Sequence, residues 1–145
     1  MMNKISGGVS MKIFSALFLV TILMASQSFA GDFRRTCKTI SLHGPDLVAV
    51  CQKTDGRRWS NTRLNLNLGI GSRGGALVWG DNNFTRECKG LSLDLPPITS
   101  FGQKAIMRAE CIAKRSQSGA AEYRKTELNL TERISNNNGR LEFDR

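Results

Sequence analysis

The side chains best placed to do chemistry are amides and hydroxyls grouped beside turn signals: Gln52 with Thr54, Asn82 with Asn83, and Asn136 to Asn138. Such groups both donate and accept hydrogen bonds, which suits them to sugar hydroxyls without any need for charge. Asparagine and threonine are also ordinary turn formers, so composition alone leaves both roles open. Bond-breaking chemistry has much less to work with. His43 is the single histidine and lies in the turn-rich tetrapeptide His43-Gly44-Pro45-Asp46, where it reads as a solvated loop residue. No serine has a nucleophile-elbow context, and the carboxylates are scattered rather than paired for glycosidase work. Gly71-Ser72-Arg73-Gly74-Gly75 lacks the lysine and the Ser/Thr of a phosphate loop and reads as a turn. The pattern is that of a binding protein, not an enzyme, and it calls for no cofactor.

Charge and cysteine usage narrow the class further. Met11-Lys12, the apolar run Ile13 to Ala25 and the small residues Ser28 and Ala30 make up the three parts of a secretory signal peptide. The apolar run is too short to serve comfortably as a membrane span. Residues 1–30 are therefore expected to be an extension plus signal, and 31–145 a single domain of 115 residues with a net charge of +7. A secreted or periplasmic location follows, with no stable membrane insertion after cleavage. The basic clusters Arg34, Arg35, Lys38 and Arg57-Arg58-Trp59 could hold phosphate and stack bases. Their interleaving with acids, in an exported chain, favours a solubilising surface and no nucleic-acid partner. Cys37, Cys51, Cys88 and Cys111 all follow the signal, which reads as two disulfides with three pairings open. Neither a close cysteine pair nor a second histidine supports zinc.

The elements that must position these groups come from an internal duplication. Thr62 to Trp79 (TRLNLNLGIGSRGGALVW) aligns without a gap on Thr126 to Phe143 (TELNLTERISNNNGRLEF) at an offset of 64. Phe33-Arg34-Arg35-Thr36-Cys37 sits over Phe84-Thr85-Arg86-Glu87-Cys88 at an offset of 51, and Cys51 over Cys111 at 60. The two units span 32–82 and 83–145. The second carries extra residues around Pro96 to Gly102 and around Ser116 to Ala121. If each unit closes the same bond, the pairs are Cys37–Cys51 and Cys88–Cys111.

Local patterns read as strands. Thr39 to Leu42 and Leu47 to Gln52 flank a turn and make a hairpin. Leu64, Leu66 and Leu68 alternate with Asn65 and Asn67, which predicts one buried and one wet face. Leu66 to Ile70 and Leu130 to Ile134 have short helical turns as their alternative. Asn138-Gly139 is a strong hairpin signal, because both residues tolerate positive φ. Ala105 to Lys114 can be argued as helix, but its place opposite the first unit's second strand favours a strand. An all-β architecture follows: two small antiparallel sheets with hairpins, related by a pseudo-twofold. Each half has few large apolar side chains, so a shared core or exchanged strands is expected.

The order F-x-x-T-C, Cys, T-x-L-N-L, G-x-L-x-W, then F-x-x-x-C, Cys, T-x-L-N-L, I-x-N-x-x-G-x-L-x-F resembles the cyanovirin-N homology family across residues 32–145. The resemblance implies a small lectin of elongated pseudo-symmetric β fold with one disulfide per repeat. It also implies mannose-rich glycans as partners, at two sites near opposite ends. The first, favoured site would use Asp32, Arg35, Thr36, Gln52, Thr54, Asn136 and Asn138. Thr36, Thr54 and Asn136 agree with the family's founding member. Asn138 replaces an aspartate, Gln52 a glutamate, Arg35 a glutamine and Asp32 a lysine. The second site would use Asn82, Asn83, Glu87, Lys114 and Ser116 and matches the family less well, with Gly71, Ser72 and Gly74 where acidic and amide groups are expected. The family's hinge proline is missing from Trp79-Gly80-Asp81-Asn82, so a monomer is expected, with a domain-swapped dimer as the alternative. An exported protein-interaction module working through the inserted loop is the competing function.

Overall fold

The computed structural model describes residues 33–100 and 102–145. The expected signal segment within 1–30, Gly31, Asp32 and Phe101 lie outside the described residues. Among the described residues, ten strands form four antiparallel sheets. Strands β1 (Cys37–His43), β2 (Asp46–Gln52) and β3 (Trp59–Asn65) make one three-stranded sheet, and β4 (Ile70–Arg73) pairs with β5 (Ala76–Trp79) in a hairpin. The second repeat repeats this arrangement. Its strands β6 (Cys88–Asp94), β7 (Ile106–Arg115) and β8 (Ala121–Asn129) form a sheet, and β9 (Ile134–Asn137) pairs with β10 (Arg140–Phe143).

The expected first hairpin forms with longer strands, leaving Gly44 and Pro45 as its two-residue turn. Ala105 to Lys114 is strand from Ile106 onward, not helix. Cys37 stands opposite Cys51 and Cys88 opposite Cys111, and both pairs are disulfide-bonded. Closing these loops stabilises each sheet by roughly 2–4 kcal/mol, mainly through the unfolded chain.

The Leu64-Leu66-Leu68 alternation gives way to the short helical turn expected as its alternative over Leu66 to Ile70. Leu66–Leu68 is a single turn of 3-10 helix, capped by Asn65, whose Oδ1 accepts from the Asn67 N–H. The turn replaces a period of two by one of three. Leu66 is therefore buried while Leu68 swings out to 73% exposure. Leu130–Glu132 repeats the turn, capped by Asn129.

The core is duplicated as faithfully as the strands. Phe33 and Phe84, Leu47 and Met107, Ala49 and Ala109, Leu66 and Leu130, Ile70 and Ile134, and Leu77 and Leu141 are buried at corresponding positions. They form one hydrophobic cluster, because each short hairpin packs on the other repeat's sheet. Hairpin β9–β10 lies against β3 and β2, while β4–β5 lies against β8 and β7. Two threonine hydroxyls fasten the exchange. Leu141 N–H donates to Thr62 Oγ1 at 3.0 Å, and Leu77 N–H donates to Thr126 Oγ1 at 3.1 Å. The matching aromatics Trp79 and Phe143 meet edge to face, with centroids 6.4 Å apart.

The insertion of the second repeat is tied down by the first. Arg34 Nη1 donates to the carbonyls of Pro96 and Lys104, at 2.6 and 2.5 Å.

Replacing Thr62 or Thr126 by valine keeps the shape and strands a partly buried N–H. Each substitution is expected to cost about 1–3 kcal/mol, read as a lower urea midpoint, and the two costs should be similar. A valine variant with an unshifted midpoint would rule out the hydroxyl clasp.

Candidate carbohydrate-binding site

One end of the molecule collects polar groups from both repeats. Thr36 precedes β1, Gln52 ends β2, Thr54 lies in the β2–β3 loop, and Asn136 and Asn138 belong to the β9–β10 hairpin. Asn138 and Gly139 have φ of 49° and 86°, the left-handed pair expected of an Asn-Gly turn. At Gly139 the turn presses onto the first repeat so closely that a Cβ would lie 3.0 Å from both Lys53 Cγ and Ser60 Cβ. That contact carries Asn136 and Asn138 across to Thr36 and Thr54.

Asn136 acts as the internal clasp. Its Nδ2 donates to Thr36 Oγ1 at 3.0 Å and to the Gln52 carbonyl at 2.8 Å, and its Oδ1 accepts from Gly139 N–H at 2.8 Å. Both amide hydrogens have partners inside the protein, so Asn136 positions its neighbours rather than presenting free donors. Asn138 Oδ1 accepts from both the N–H and the hydroxyl of Thr54, at 3.2 and 3.1 Å. This leaves the exposed Asn138 amide donors facing solvent beside Thr54. Gln52 Nε2 donates to the Gly56 carbonyl at 2.6 Å, which fixes its side chain along the loop. Arg35 is exposed on the preceding 3-10 turn.

The loop between β2 and β3 is organised by Asp55, a residue the sequence reading did not single out. Asp55 Oδ1 accepts from the N–H groups of Arg57 and Arg58, and Oδ2 pairs with Arg58 Nε at 2.5 Å. These bonds, led by the two backbone N–H groups, hold its carboxyl well below the usual carboxylate range. Asp-Gly in a turn was the available sequence signal.

The opposite end is built on the same plan with different contents. Asn82, Asn83 and Glu87 line a recess of 160 Å³ with Ser72, Asp81 and Arg86. Lys114 and Ser116 line a separate recess of 250 Å³ with Ala120 and Glu122. The five expected second-site residues are thus divided between two recesses rather than gathered in one. Ser116 Oγ is engaged in its own hairpin turn, accepting from Ala120 N–H at 3.1 Å. Where the first end has Asn136 and Asn138, the corresponding hairpin has Ser72 and Gly74, and Gly74 brings no side-chain donor at all.

A third groove, of 520 Å³, crosses the outer face of β7–β8 between Gly90, Arg108, Glu110, Lys125 and Glu127. It lies apart from both ends, and Arg108 pairs there with Asp94 and Glu127. Hydrogen bonding to Asp94 raises the Arg108 pKa further. His43 is exposed beside Ser41. Among the described residues no group of three or more His, Cys, Asp or Glu is arranged to hold a metal ion, and no helix is long and apolar enough to cross a membrane.

Residues 33–142 match the model of the CVNH domain. The chain belongs to the CVNH family. A cyanovirin-N homolog from Tuber borchii is 34% identical over 100 residues, covering 69% of this chain and 84% of that protein. The NMR structure of a CVNH protein from Gibberella zeae aligns with a TM-score of 0.65 at 28% identity, over 79% of this chain and 99% of that one. The structure of microvirin in complex with mannobiose aligns with a TM-score of 0.59 at 30% identity, over 77% and 97% of the two chains.

The Asp55 bonds give the loop of this CVNH protein a defined pH response. The folded loop binds its proton less readily than the unfolded chain does. Its contribution is therefore complete above the unfolded carboxyl pKa of about 4 and declines as pH falls below it. Thermal unfolding should place wild type above Asp55→Asn at pH 7, with the gap narrowing steadily below about pH 4. A gap that is constant with pH would refute this assignment.

Proposed function

We propose that the protein is an exported lectin that binds mannose-containing glycans reversibly, at the end where Thr36, Gln52, Thr54, Asn136 and Asn138 converge. The observation that carries this reading is the convergence itself. Amides and hydroxyls of the two repeats come together at this end, around solvent-facing donors on Asn138. Family membership and the mannobiose complex of a 30% identical relative support a sugar as the ligand. The residues divide into two roles. Thr54 and Asn138 are exposed and meet the sugar, while Asn136 holds Thr36 and the end of β2 in register. Arg35, on the 3-10 turn before Thr36, flanks the same end.

A neutral amide makes weaker hydrogen bonds to a hydroxyl than a carboxylate does. A single site of this kind is expected to bind weakly, and avidity must come from several glycan arms. The binding unit in this reading is residues 31–145, acting as a monomer, and the second end contributes little because Gly74 and Ser72 replace its amides.

The direct experiment is titration calorimetry with mannobiose and a larger mannose oligosaccharide, with and without calcium. The expected outcome is calcium-independent, enthalpy-driven binding. Thr54→Ala and Asn138→Gly should each weaken it about tenfold or more, as expected for losing one or two hydrogen bonds, with only small shifts of the unfolding midpoint, since both sites are exposed and glycine tolerates the left-handed φ of residue 138. Asn136→Ala should instead cost about 1–3 kcal/mol of stability as well, since it strands partly buried partners. A folded protein with no sugar ligand on a broad glycan array would dismiss the lectin reading.

The Arg34-anchored insertion favours one further reading, a protein-binding module. Its Ile98 is 55% exposed on a segment the first repeat holds in place. Deleting residues 97–102 would then abolish partner capture and leave sugar binding intact.

A further inference from the structure

Trp59 opens β3 directly opposite Gln52, the last residue of β2. Paired residues of antiparallel strands share a face, so the indole stands beside Gln52 on the outer side of the first sheet. It is a large aromatic left 43% exposed. Lys38, on β1 at the far side of β2, places its Nζ 4.1 Å from the centroid of that ring. The cross-strand neighbour of Lys38 is Val50, and the next along the row is Asn61, so the patch carries positive charge with no carboxylate in either strand partner. Arg57 is exposed two residues before Trp59. Among the described residues no ion pair involves the side chain of Lys38 or Arg57, whereas Arg58 is occupied by Asp55.

The second repeat supplies an internal comparison. Lys89 stands 3.8 Å from the ring centroid of Tyr123, at the positions that correspond to Lys38 and Trp59. There the cross-strand neighbour of Lys89 is Glu110, which in turn faces Lys125. The same aromatic-and-lysine pair thus has a carboxylate in its strand row in one repeat and none in the other, and the copy without a carboxylate is the one beside the amide cluster.

We propose that Trp59, Lys38 and Arg57 form a subsite for an acidic sugar, one bearing a carboxylate on a pyranose ring, next to the amide site. The apolar C–H face of a pyranose covers exposed indole surface, which a small sugar can do without a deep pocket. The carboxylate then meets the Lys38 ammonium and the Arg57 guanidinium in charge-assisted hydrogen bonds. The position next to Gln52 rests on the glycan reading of the amide cluster, but the subsite has its own ligand chemistry and can be tested separately.

The test compares two oligosaccharides that differ only in the group at C6: β-1,4-linked mannotetraose and β-1,4-linked tetramannuronate. Titration of the folded protein should show the acidic oligomer binding about two- to fivefold tighter at low ionic strength, as expected of one partly exposed ion pair. High salt should remove that advantage. Trp59→Ala and Lys38→Gln should abolish it, Trp59→Phe should retain most of it, and Tyr123→Ala and Lys89→Gln should leave it intact. Tetramannuronate binding that depends on Trp59 supports the subsite even where mannotetraose and other neutral mannosides fail to bind, an outcome that counts only against the mannose reading. Equal affinity for the two oligomers, or equal loss in the Tyr123 and Trp59 variants, overturns the subsite. So does Trp59-dependent binding of an oligothymidylate without binding of tetramannuronate, which would assign the patch to single-stranded nucleic acid.

Discussion

The whole arrangement depends on the close docking of each short hairpin onto the sheet of the other repeat. At Gly75 a Cβ would fall 2.8 Å from the Cβ of Ala113, and at Gly139 it would fall 3.0 Å from Lys53 and Ser60. Both glycines also have positive φ, so any other residue would be strained there as well as crowded. The docking is what joins two small apolar clusters into one core, since a three-stranded sheet of this size has little to bury on its own. The threonine hydroxyls at Thr62 and Thr126 satisfy a hairpin N–H that the docking removes from water.

The same docking makes the first end a composite. Asn136 reaches Thr36 across 100 residues of chain, and Asn138 reaches Thr54 across 84. Neither contact could exist within one repeat. Packing requirements act equally on both hairpins, which is why the scaffold residues correspond so closely. Polar side chains at the tips are not under that constraint, and there the two halves differ: Asn136 and Asn138 on one hairpin, Ser72 and Gly74 on the other. A pseudo-symmetric scaffold therefore carries two chemically unequal ends.

Much of this was legible in the chain because the duplication compares the sequence with itself. Corresponding cysteines pointed to the bonding pattern, Asn138-Gly139 to the hairpin turn, and the paired T-x-L-N-L segments to matching strands. Of the two readings open over Leu66 to Ile70, the short helical turn is the one that forms, because a capping asparagine ends the strand alternation and turns Leu68 outward. Asn82, Asn83 and Glu87 line one recess and Lys114 and Ser116 another, a division that the sequence does not show. Correspondence between repeats says which positions are equivalent, but not how far apart two loop tips end up.

What the sequence determined by itself was the repeat, the strands and the identity of the polar groups, because these depend on local pattern and on side-chain type. The tertiary structure decided which of those groups are available. Asn136 has its amide hydrogens engaged within the fold, Asn138 keeps its donors toward solvent, and Asp55 shapes the loop that presents Thr54. Availability depends on which partners a side chain meets when distant segments pack, and those partners come from the other repeat.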